Sequence, residues 1–381
     1  MLCGLVALLA TLAGRSVRAQ ELPGGLRLSG GVYLYHYAPV DLQSGHEKTE
    51  IYALFLNLDR TDGPWAVHVQ GRWRDTKLRS FYPSNGWLQE AWVAYTVGPS
   101  DEGSGDGRPA SRPVALTVTF RAGKIYQRLG RFWDGSFFGN VQYFDGLKLD
   151  PEFGAEAAAR APLGTSSGVI EAYVQGLLGD DHISGALPGR DFKTLTGARK
   201  QGLAAGVRGR IALASPGGSP LVAAVRLSGL TSRAELPDTL RGLSPAGSGS
   251  AFARVGGPHR TLDYVSFDGE LDWKHLLAYG EWTRRSTGLL GPPGATIPGS
   301  RATYWLAGAH ATVGPLTLRY NFSQGRYQDA GWRDTIHQPG ITVRLGPGVS
   351  ALLEYDDWSR RGPAGTVLMD RSLNAVLLLQ F

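Results

Sequence analysis

The side chains best suited to acid–base or metal chemistry in this sequence are its histidines, and they are scattered along the chain. They fall at His36, His46, His68, His182, His259, His275, His310 and His337, without the close spacing of a metal motif on one helix. A phosphate-binding loop of the Walker type is also absent from the sequence. The single cysteine is Cys3, so neither a disulfide scaffold nor a zinc site built on several cysteines is possible. We therefore predict no catalytic residue, no cofactor and no metal.

Arginine forms the clearer pattern, because it recurs at every second position inside apolar segments. The polar residues of three such segments are His68, Gln70, Arg72 and Arg74 in 65–74, Arg208 and Arg210 in 203–213, and Arg319 in 316–322. A period of two is that of a β-strand. The inner face of a soluble sheet would need large apolar groups, whereas this face is polar. The alternation therefore favours a transmembrane barrel, with apolar residues toward lipid and polar residues toward a water-filled lumen.

Composition and aromatic placement agree with that interpretation. The 381 residues include 53 Gly and only 19% charged residues, which argues against coiled coils and helical repeats. Past residue 14 there is no apolar run of roughly 18 residues, the length that a membrane-spanning helix needs. Aromatic residues cluster near predicted strand ends, as in the interfacial girdles of membrane barrels. We assign to this girdle Tyr33, Tyr35, Tyr37, Trp65, Trp73, Trp87, Tyr95, Trp282 and Tyr304.

The first residues predict export from the cytoplasm. Residues 2–14 are apolar, with the length of a signal-peptide core, and Val17 and Ala19 suit the −3 and −1 positions of a cleavage site. We expect a cleaved signal peptide at 1–19 and a single barrel domain at 20–381. Cleavage removes Arg15 and Arg18, so the formal charge falls by two, from +6 to +4. The sequence has no basic block suited to nucleic acid, which we exclude as a partner.

The fold class predicted is all-β, an antiparallel up-and-down transmembrane barrel of about 16 strands, with 14–18 possible. The predicted strands are 25–37, 48–60, 64–75, 87–98, 113–124, 141–161, 168–178, 201–214, 220–232, 259–272, 275–286, 301–313, 315–326, 337–346, 348–360 and 368–381. Their connections alternate between long and short, as outer loops and periplasmic turns do. The long connection 99–112 breaks this alternation, and the strand 141–161 merges two runs across Asp150-Pro151.

The C-terminal segment places five apolar residues on one face, namely Leu373, Ala375, Leu377, Leu379 and Phe381. It resembles the last strand of bacterial outer-membrane proteins, which ends in an aromatic residue. The resemblance implies that Phe381 is the signal read by the barrel-assembly machinery.

A second resemblance lies in residues 120–149. A strand containing Arg121 and Lys124 is followed by a Gly/Trp-rich loop and then by Phe144-Asp145-Gly146-Leu147-Lys148. This arrangement is loosely similar to porins of the alginate-export and phosphate-selective kind, over about 30 of the 381 residues. It supports a Gram-negative porin-like barrel and indicates no particular substrate.

In general porins the third outer loop folds inward and narrows the channel, and the resemblance implies that role for residues 125–140. The alternative is that these residues form a solvated surface loop. The candidate constriction residues are Arg121, Lys124, Arg128, Arg131 and Asp134. Further candidate pore-lining cations are Arg72, Arg74, Lys148, Arg208, Arg210, Arg226 and Arg319, and the inward acids are Glu90, Glu156 and Glu281. Because the cations outnumber the acids, we expect a mild anion preference. The alternative is that Arg and Glu pair across neighbouring strands.

These observations predict an outer-membrane porin, an ion-conducting channel for passive diffusion of small hydrophilic solutes. Its expected partners are outer-membrane lipid, the barrel-assembly machinery, those solutes and, as in many porins, two further copies in a homotrimer. Two alternatives stay open at this stage: a non-channel barrel with a structural or partner-binding role, and a barrel hydrolase.

Overall fold

The computed structural model describes most of the chain from Gln20 to Phe381. The described ranges are 20–40, 47–74, 86–98, 116–131, 136, 139–144, 151–163, 168–179, 198–213, 218–235, 259–287, 301–328 and 331–381. The signal peptide expected at 1–19 lies outside them. No helix in these ranges is long and apolar enough to cross a membrane.

The described residues form 17 β-strands and one helical turn. In chain order the elements are β1 (Gln20–Leu22), β2 (Leu26–Pro39), β3 (Lys48–Asp62), β4 (Trp65–Trp73), β5 (Gly86–Val97), β6 (Thr117–Tyr126), α1 (Val141–Phe144), β7 (Pro151–Leu163), β8 (Gly168–Gly179), β9 (Ala198–Leu213), β10 (Leu221–Glu235), β11 (His259–Trp273), β12 (Leu276–Thr287), β13 (Ala302–Val313), β14 (Leu316–Tyr327), β15 (Trp332–Gly346), β16 (Val349–Gly362) and β17 (Gly365–Gln380).

Strands β2 to β17 close into one antiparallel barrel of 16 strands, which confirms the predicted fold class and strand number. Each strand pairs with the next in sequence, and β17 pairs with β2 to complete the ring. The short strand β1 pairs with the beginning of β2. Closure leaves no edge strand in the ring, so the backbone groups of every barrel strand have partners on both sides.

The two faces of the wall differ in polarity, as the alternation predicts. On the outer face Leu227 and Phe267 are 57% and 52% exposed. On the inner face of the same two strands, Ser228 and Asp268 are buried. A soluble protein has the reverse arrangement. An apolar exterior around a polar interior is the arrangement of a barrel immersed in lipid.

The C-terminal residue lies at the seam where the barrel closes. The backbone N–H of Phe381 donates to the carbonyl of Gly30, and the N–H of Gly30 donates to the carbonyl of Phe381, both at 2.9 Å. A Cβ on Gly30 would lie 2.9 Å from Cζ of Phe381, so the terminal ring packs directly over this glycine. The terminal residue therefore contributes backbone pairing and ring packing to the closing strand pair.

The boundaries of most predicted strands hold to within a few residues, and the turns explain why. Gly63 and Gly314 adopt φ angles of 53° and 58°, which favour glycine, in the two-residue turns after β3 and β13. Three boundaries differ. Strand β6 begins at Thr117, four residues after the predicted start. Strand β15 begins at Trp332, five residues before the predicted start, and the connection between β16 and β17 is only Pro363-Ala364.

The predicted strand 141–161 is wrong in its first part. Residues 141–144 form α1, and the strand begins only at Pro151, while 145–150 lie outside the described residues. The strand number is nevertheless correct, because β7 is a single strand. The apolar Val141 resembles a strand residue in the sequence, but it lies in the helical turn and is buried against the inner face of the barrel wall.

Part of the predicted aromatic girdle is also wrong. Tyr35, Tyr37 and Tyr304 are at most 7% exposed and point into the barrel. Tyr52 has the same parity in the chain as the exposed Leu54 and Leu56, which predicts an outward side chain, yet it contacts Tyr35 with ring centroids 5.8 Å apart. The cause is a register shift, because Tyr33 pairs with Ala53 while Leu34 pairs with Ile51, so Tyr52 has no partner on β2.

The opposite polarity of the two faces predicts a position-dependent effect of charge. Leu56, 44% exposed on the outer face, is followed by Asn57 on the inner face. We expect Leu56→Arg to lower the free energy of unfolding by about 2–4 kcal/mol, because it moves a cation into lipid. Asn57→Arg places the same group one residue along, in the lumen, where the cation stays hydrated but the hydrogen bonds with Ser29 and Gln70 are lost, and should cost about 1 kcal/mol. Urea unfolding in lipid vesicles measures both, and equal costs would contradict the assignment of the faces.

Candidate functional site

The connection between β6 and β7 crosses the interior of the barrel. Residues 127–144 are called here the constriction loop, described at 127–131, 136 and 139–144. The N–H of Arg128 donates to Oε1 of Gln175 on β8 at 3.1 Å, and the N–H of Arg131 donates to Oε2 of Glu281 on β12 at 2.7 Å. Three residues span at most roughly 10 Å. Four strand spacings along the wall measure about 19 Å, so the loop takes a chord across the lumen.

The second limb of the constriction loop reaches the strands beyond β12. The N–H of Val141 donates to Oγ of Ser323 on β14 at 3.2 Å. The side-chain amide of Gln338 on β15 donates to the carbonyl of Gly139 at 2.9 Å. The loop therefore contacts inward side chains from β8 round to β15.

Glu281 holds both limbs of the loop. Its Oε2 accepts the N–H of Arg131, and its Oε1 accepts the side-chain amide of Gln142 at 2.9 Å. The hydroxyl of Thr283 donates to Oε1 at 2.7 Å. Only 3% of Glu281 is exposed. A buried carboxylate is stable only when its oxygens accept several hydrogen bonds, and the loop supplies two of them.

Arg128 is seated on β8. Its guanidinium pairs with Glu171 and lies 3.4 Å from Oε1 of Glu156. It also stacks over the ring of Tyr173, 4.1 Å from the ring centroid. The Tyr173 hydroxyl donates to the carbonyl of Arg128, so one tyrosine binds both the side chain and the backbone of this residue.

Arg131 has a matching seat between β11 and β12. Its guanidinium pairs with Glu270 on β11 and lies 3.9 Å from the ring centroid of Tyr279 on β12. The Tyr279 hydroxyl donates to Oδ1 of Asn321 on β14, which fixes the ring against the wall. Both loop arginines therefore combine a carboxylate with a tyrosine face, an arrangement that suits the planar guanidinium.

A glycine on the next strand makes room for each tyrosine ring. Tyr173 pairs with Gly206 in register, and Tyr279 pairs with Gly308. A Cβ at Gly206 would lie 2.6 Å from the Tyr173 hydroxyl oxygen, and a Cβ at Gly308 would lie 2.2 Å from that of Tyr279. Each ring therefore lies flat across a neighbouring strand, and any larger residue would push it off.

The wall that the loop does not cover carries a second polar network. The Arg72 guanidinium donates to Gln70, whose amide donates to Asn57 at 2.7 Å. Arg121 pairs with Glu156 at 2.7 Å and lies 5.3 Å from the ring of Trp92. These contacts join β3, β4 and β5 on one side to β6 and β7 on the other.

Near the seam between β17 and β2, the inner wall contains a hydrogen-bonded cluster around a buried aspartate. Asp356 on β16 accepts the side-chain amides of Gln338 and Asn374, and Asn374 accepts the Tyr35 hydroxyl at 2.5 Å. Both Asp356 and Asn374 are fully buried. This wall is therefore a packed hydrogen-bonded cluster.

Exposure separates a dry sector from a wet one. The polar inward residues behind the constriction loop are at most 3% exposed, namely Gln175, Ser228, Ser266, Glu281, Thr283, Asn321, Ser323 and Gln338. Toward β3–β6 the side chains of His68, Glu90 and Arg121 are 15%, 17% and 25% exposed. Solvent therefore reaches the inner wall on the β3–β6 side, and it also reaches the carboxylates of the two loop arginines, since the side chains of Glu171 and Glu270 are 27% and 30% exposed.

The structure brings together some of the predicted pore residues and separates others. Arg121 on β6 and Arg128 on the constriction loop share the carboxylate Glu156 and form one ion-pair network. Arg131 lies on the constriction loop three residues after Arg128. Arg208 and Arg226 pair in register on β9 and β10, and Arg226 also lies 3.3 Å from Asp268. The other predicted residues each have different partners. Arg74 lies over the ring of Tyr52, and Lys124 donates to the carbonyl of Leu88. Arg210 stands beside Ala224 on β10, and Arg319 pairs with Glu354. Asp134 and Lys148 lie outside the described residues.

The sequence did not reveal the tyrosine seats. Tyr173 and Tyr279 stand in ordinary alternating segments, and no local feature distinguishes them from girdle tyrosines. A cross-strand Tyr–Gly pair would have been the only available signal, and it requires the register between strands, which the sequence does not give. Glu281 was recognised as an inward acid, but not as the group that holds the loop.

The described residues include one short acid–histidine contact, between Nδ1 of His68 and Oδ1 of Asp59 at 2.6 Å. They contain no group of three or more His, Cys, Asp or Glu side chains arranged to hold a metal. The run Gly164-Thr165-Ser166-Ser167-Gly168 has the Gly-x-Ser-x-Gly form of a nucleophile elbow. An elbow joins a strand to a helix, whereas this run connects strands β7 and β8.

Comparison with known proteins relates the fold to outer-membrane channels. The outer-membrane channel DcaP of Acinetobacter baumannii is 12% identical with a TM-score of 0.55, covering 96% of this chain and 100% of that one. The trimer form of OmpT from Vibrio cholerae is 9% identical with a TM-score of 0.55, covering 93% and 99%. OmpF of Salmonella typhi, solved with daunomycin, is 10% identical with a TM-score of 0.55, covering 93% and 97%. No protein-family model and no curated protein matches the chain.

These likenesses confirm the predicted porin-like barrel at the level of the fold. Identities this low carry no information about solutes or activity. The narrower resemblance to alginate-export and phosphate-selective porins stays a prediction.

The tyrosine seats predict how the loop can be released. Gly308→Ala should displace the Tyr279 ring and weaken the Arg131 seat by about 1–3 kcal/mol, the usual cost of overpacking. Trypsin should then cleave the folded barrel after Arg131 faster than it cleaves the wild type. Gly280→Ala is the control, because the nearest atom to its new Cβ is 3.7 Å away. Equal cleavage of the two variants would show that the seat does not hold the loop.

Proposed function

We propose that this protein is an outer-membrane porin, a water-filled channel through which small hydrophilic solutes diffuse passively. The observation that carries the proposal is the constriction loop, which crosses a closed barrel whose inner wall is polar. Narrowing a hydrated lumen with charged groups is how a pore limits the size and charge of what passes. The solvent contact of the inward side chains on β3–β6 supports a passage on that side.

The proposal includes how the protein reaches and occupies the membrane. Cleavage after Ala19 would release the chain into the periplasm, and the barrel-assembly machinery would read Phe381. The exposed apolar outer face would then contact outer-membrane lipid. A homotrimer is part of the proposal, supported by the likeness to a protein whose solved structure is a trimer form.

A mild anion preference is the finer part of the proposal. Inward cations such as Arg72 and Arg210 support it, whereas Arg208 stands directly opposite Glu171 on β8. Pairing opposes it, because Arg121 and Arg319 each lie within 3.1 Å of a carboxylate oxygen. The net field at the passage is therefore small, and the preference should be weak.

Single-channel recording in a planar bilayer tests the channel itself. The refolded chain 20–381 should insert and give stable stepwise conductance in KCl. Liposomes containing it should swell in small sugars and remain unchanged in large ones. A correctly folded barrel that never conducts would overturn the channel and favour a structural or partner-binding barrel, and lipid or peptide hydrolysis by it would favour an enzyme.

Reversal potentials test the selectivity. In a KCl gradient the wild type should reverse slightly toward the chloride potential, and Arg72→Gln should move that value toward zero, because it removes a cation beside the passage. Arg60→Gln is the control, since Arg60 pairs with Asp62 at the end of β3. A cation-selective wild type, or an equal shift in both variants, would contradict this assignment.

A further inference from the structure

We propose that Arg128 and Arg131 are positioning residues, which pin the constriction loop to the wall and contribute little to ion selectivity. The proposal rests on the proposed channel function and deepens it, because it assigns the size limit of the pore to two arginine–tyrosine seats. It departs from the expectation that cations in the third loop create the selective field.

The geometry of the seats is that of an anchor. Each arginine uses its guanidinium and also its backbone: Arg128 donates its N–H to Gln175, and Arg131 donates its N–H to Glu281. Each guanidinium lies within 4.1 Å of a tyrosine ring centroid. Attracting passing ions requires neither a tyrosine ring beneath the guanidinium nor a hydrogen bond from the backbone N–H of the arginine. Both contacts serve to hold the loop in place.

The charges at the seats also cancel locally. Arg128 pairs with Glu171 and Glu156, and Arg131 pairs with Glu270. The field of a close ion pair falls off within a few ångströms in a hydrated lumen. Passing ions therefore meet nearly neutral ion pairs at the loop. Ion selectivity then depends mainly on the cations of the wall formed by β3–β6.

The spacing of the two arginines fits the wall that they grip. Two residues separate Arg128 from Arg131, and their tyrosines stand on β8 and β12, four strands apart. Between them, Gly130 adopts a φ of 57°, donates its N–H to Ser228 at 3.0 Å and accepts the Arg226 guanidinium at 2.6 Å. The short run 128–131 is thus fixed to β8, β10 and β12 in succession, which sets how far the loop projects into the lumen.

Lysine substitutions separate anchoring from charge. Arg131→Lys keeps the positive charge, but its ammonium cannot reproduce the planar stacking and forked donation of arginine. Tyr279→Leu keeps Arg131 and removes the ring on which it stacks, together with the hydroxyl that donates to Asn321. We expect both variants to keep the wild-type reversal potential, while single-channel current becomes noisier and larger sugars enter liposomes on the order of tenfold faster.

A reversible cross-link provides the rescue. The Cβ position of Gly325 lies 2.7 Å from Cγ1 of Val141, so cysteines at these two positions are close enough for a disulfide. In the chain 20–381, which has no other cysteine, Val141→Cys with Gly325→Cys should hold the second limb to β14. Added to Arg131→Lys, the oxidised pair should restore quiet current, and reduction should remove the effect.

The matched control is Arg60→Lys, which makes the same exchange at an exposed arginine paired with Asp62 at the end of β3 and should leave current noise and the size limit as in the wild type. Heat-modifiable migration on gels shows that each variant is folded. A shifted reversal potential for Arg131→Gln, together with wild-type noise and size limit for Arg131→Lys and Tyr279→Leu, would overturn the positioning role. Absence of any conductance in the wild type would instead overturn the channel function itself.

Discussion

Closure of the sheet between β17 and β2 is the constraint on which the rest of the structure depends. An open sheet in lipid would leave two rows of backbone donors and acceptors without partners, at several kilocalories per mole for each group. Pairing along Gly31–Pro39 and Ser372–Gln380 removes both edges at once. Phe381 extends the pairing by one residue to Gly30. The ring must close, and its width then follows from the number of strands.

A ring of 16 strands is too wide for its own inward side chains to fill, and the constriction loop follows from that width. The loop crosses the lumen because it finds hydrogen-bond partners on inward side chains of β8, β10, β12 and β14. Glu281 would be a costly buried carboxylate without the loop, and it in turn holds the loop at Arg131 and Gln142. Each stabilises the other, which is why the polar residues behind the loop are dry.

The closed barrel also gives the arginines of the loop and those of the wall different partners. Those of the loop reach across the lumen to carboxylates and tyrosine rings, whereas Arg121 and Arg72 belong to the wall itself, where Arg121 contacts Glu156 and Trp92 and Arg72 donates to Gln70. A residue type that the sequence presents as one class therefore falls into two groups with different surroundings. The distinction depends on which strand lies opposite, and it is invisible along the chain.

Much of the architecture can be predicted from short segments of the sequence. Alternation of period two, with Arg208 and Arg319 on the polar side, was enough to predict the faces, the strand number and the closed barrel. Glycines at two-residue turns such as Gly63 and Gly314 marked the ends of strands. The alternation failed where a local rule was interrupted: at Tyr52, where a bulge turns the side chain inward, and at Val141, where an apolar run forms a helical turn inside the lumen.

The sequence by itself determined the outer and inner faces of most strands, because that choice is made strand by strand through a two-residue period. It did not do so for the inward tyrosines Tyr35, Tyr37 and Tyr304. Only the tertiary structure decided what the inward residues do. Tyr173 meets Gly206, and Tyr279 meets Gly308, through the register between strands, and Arg128 and Arg131 reach those tyrosines through a path across the barrel. Register and the path of a loop depend on contacts between residues far apart in the chain, so no local pattern contains them.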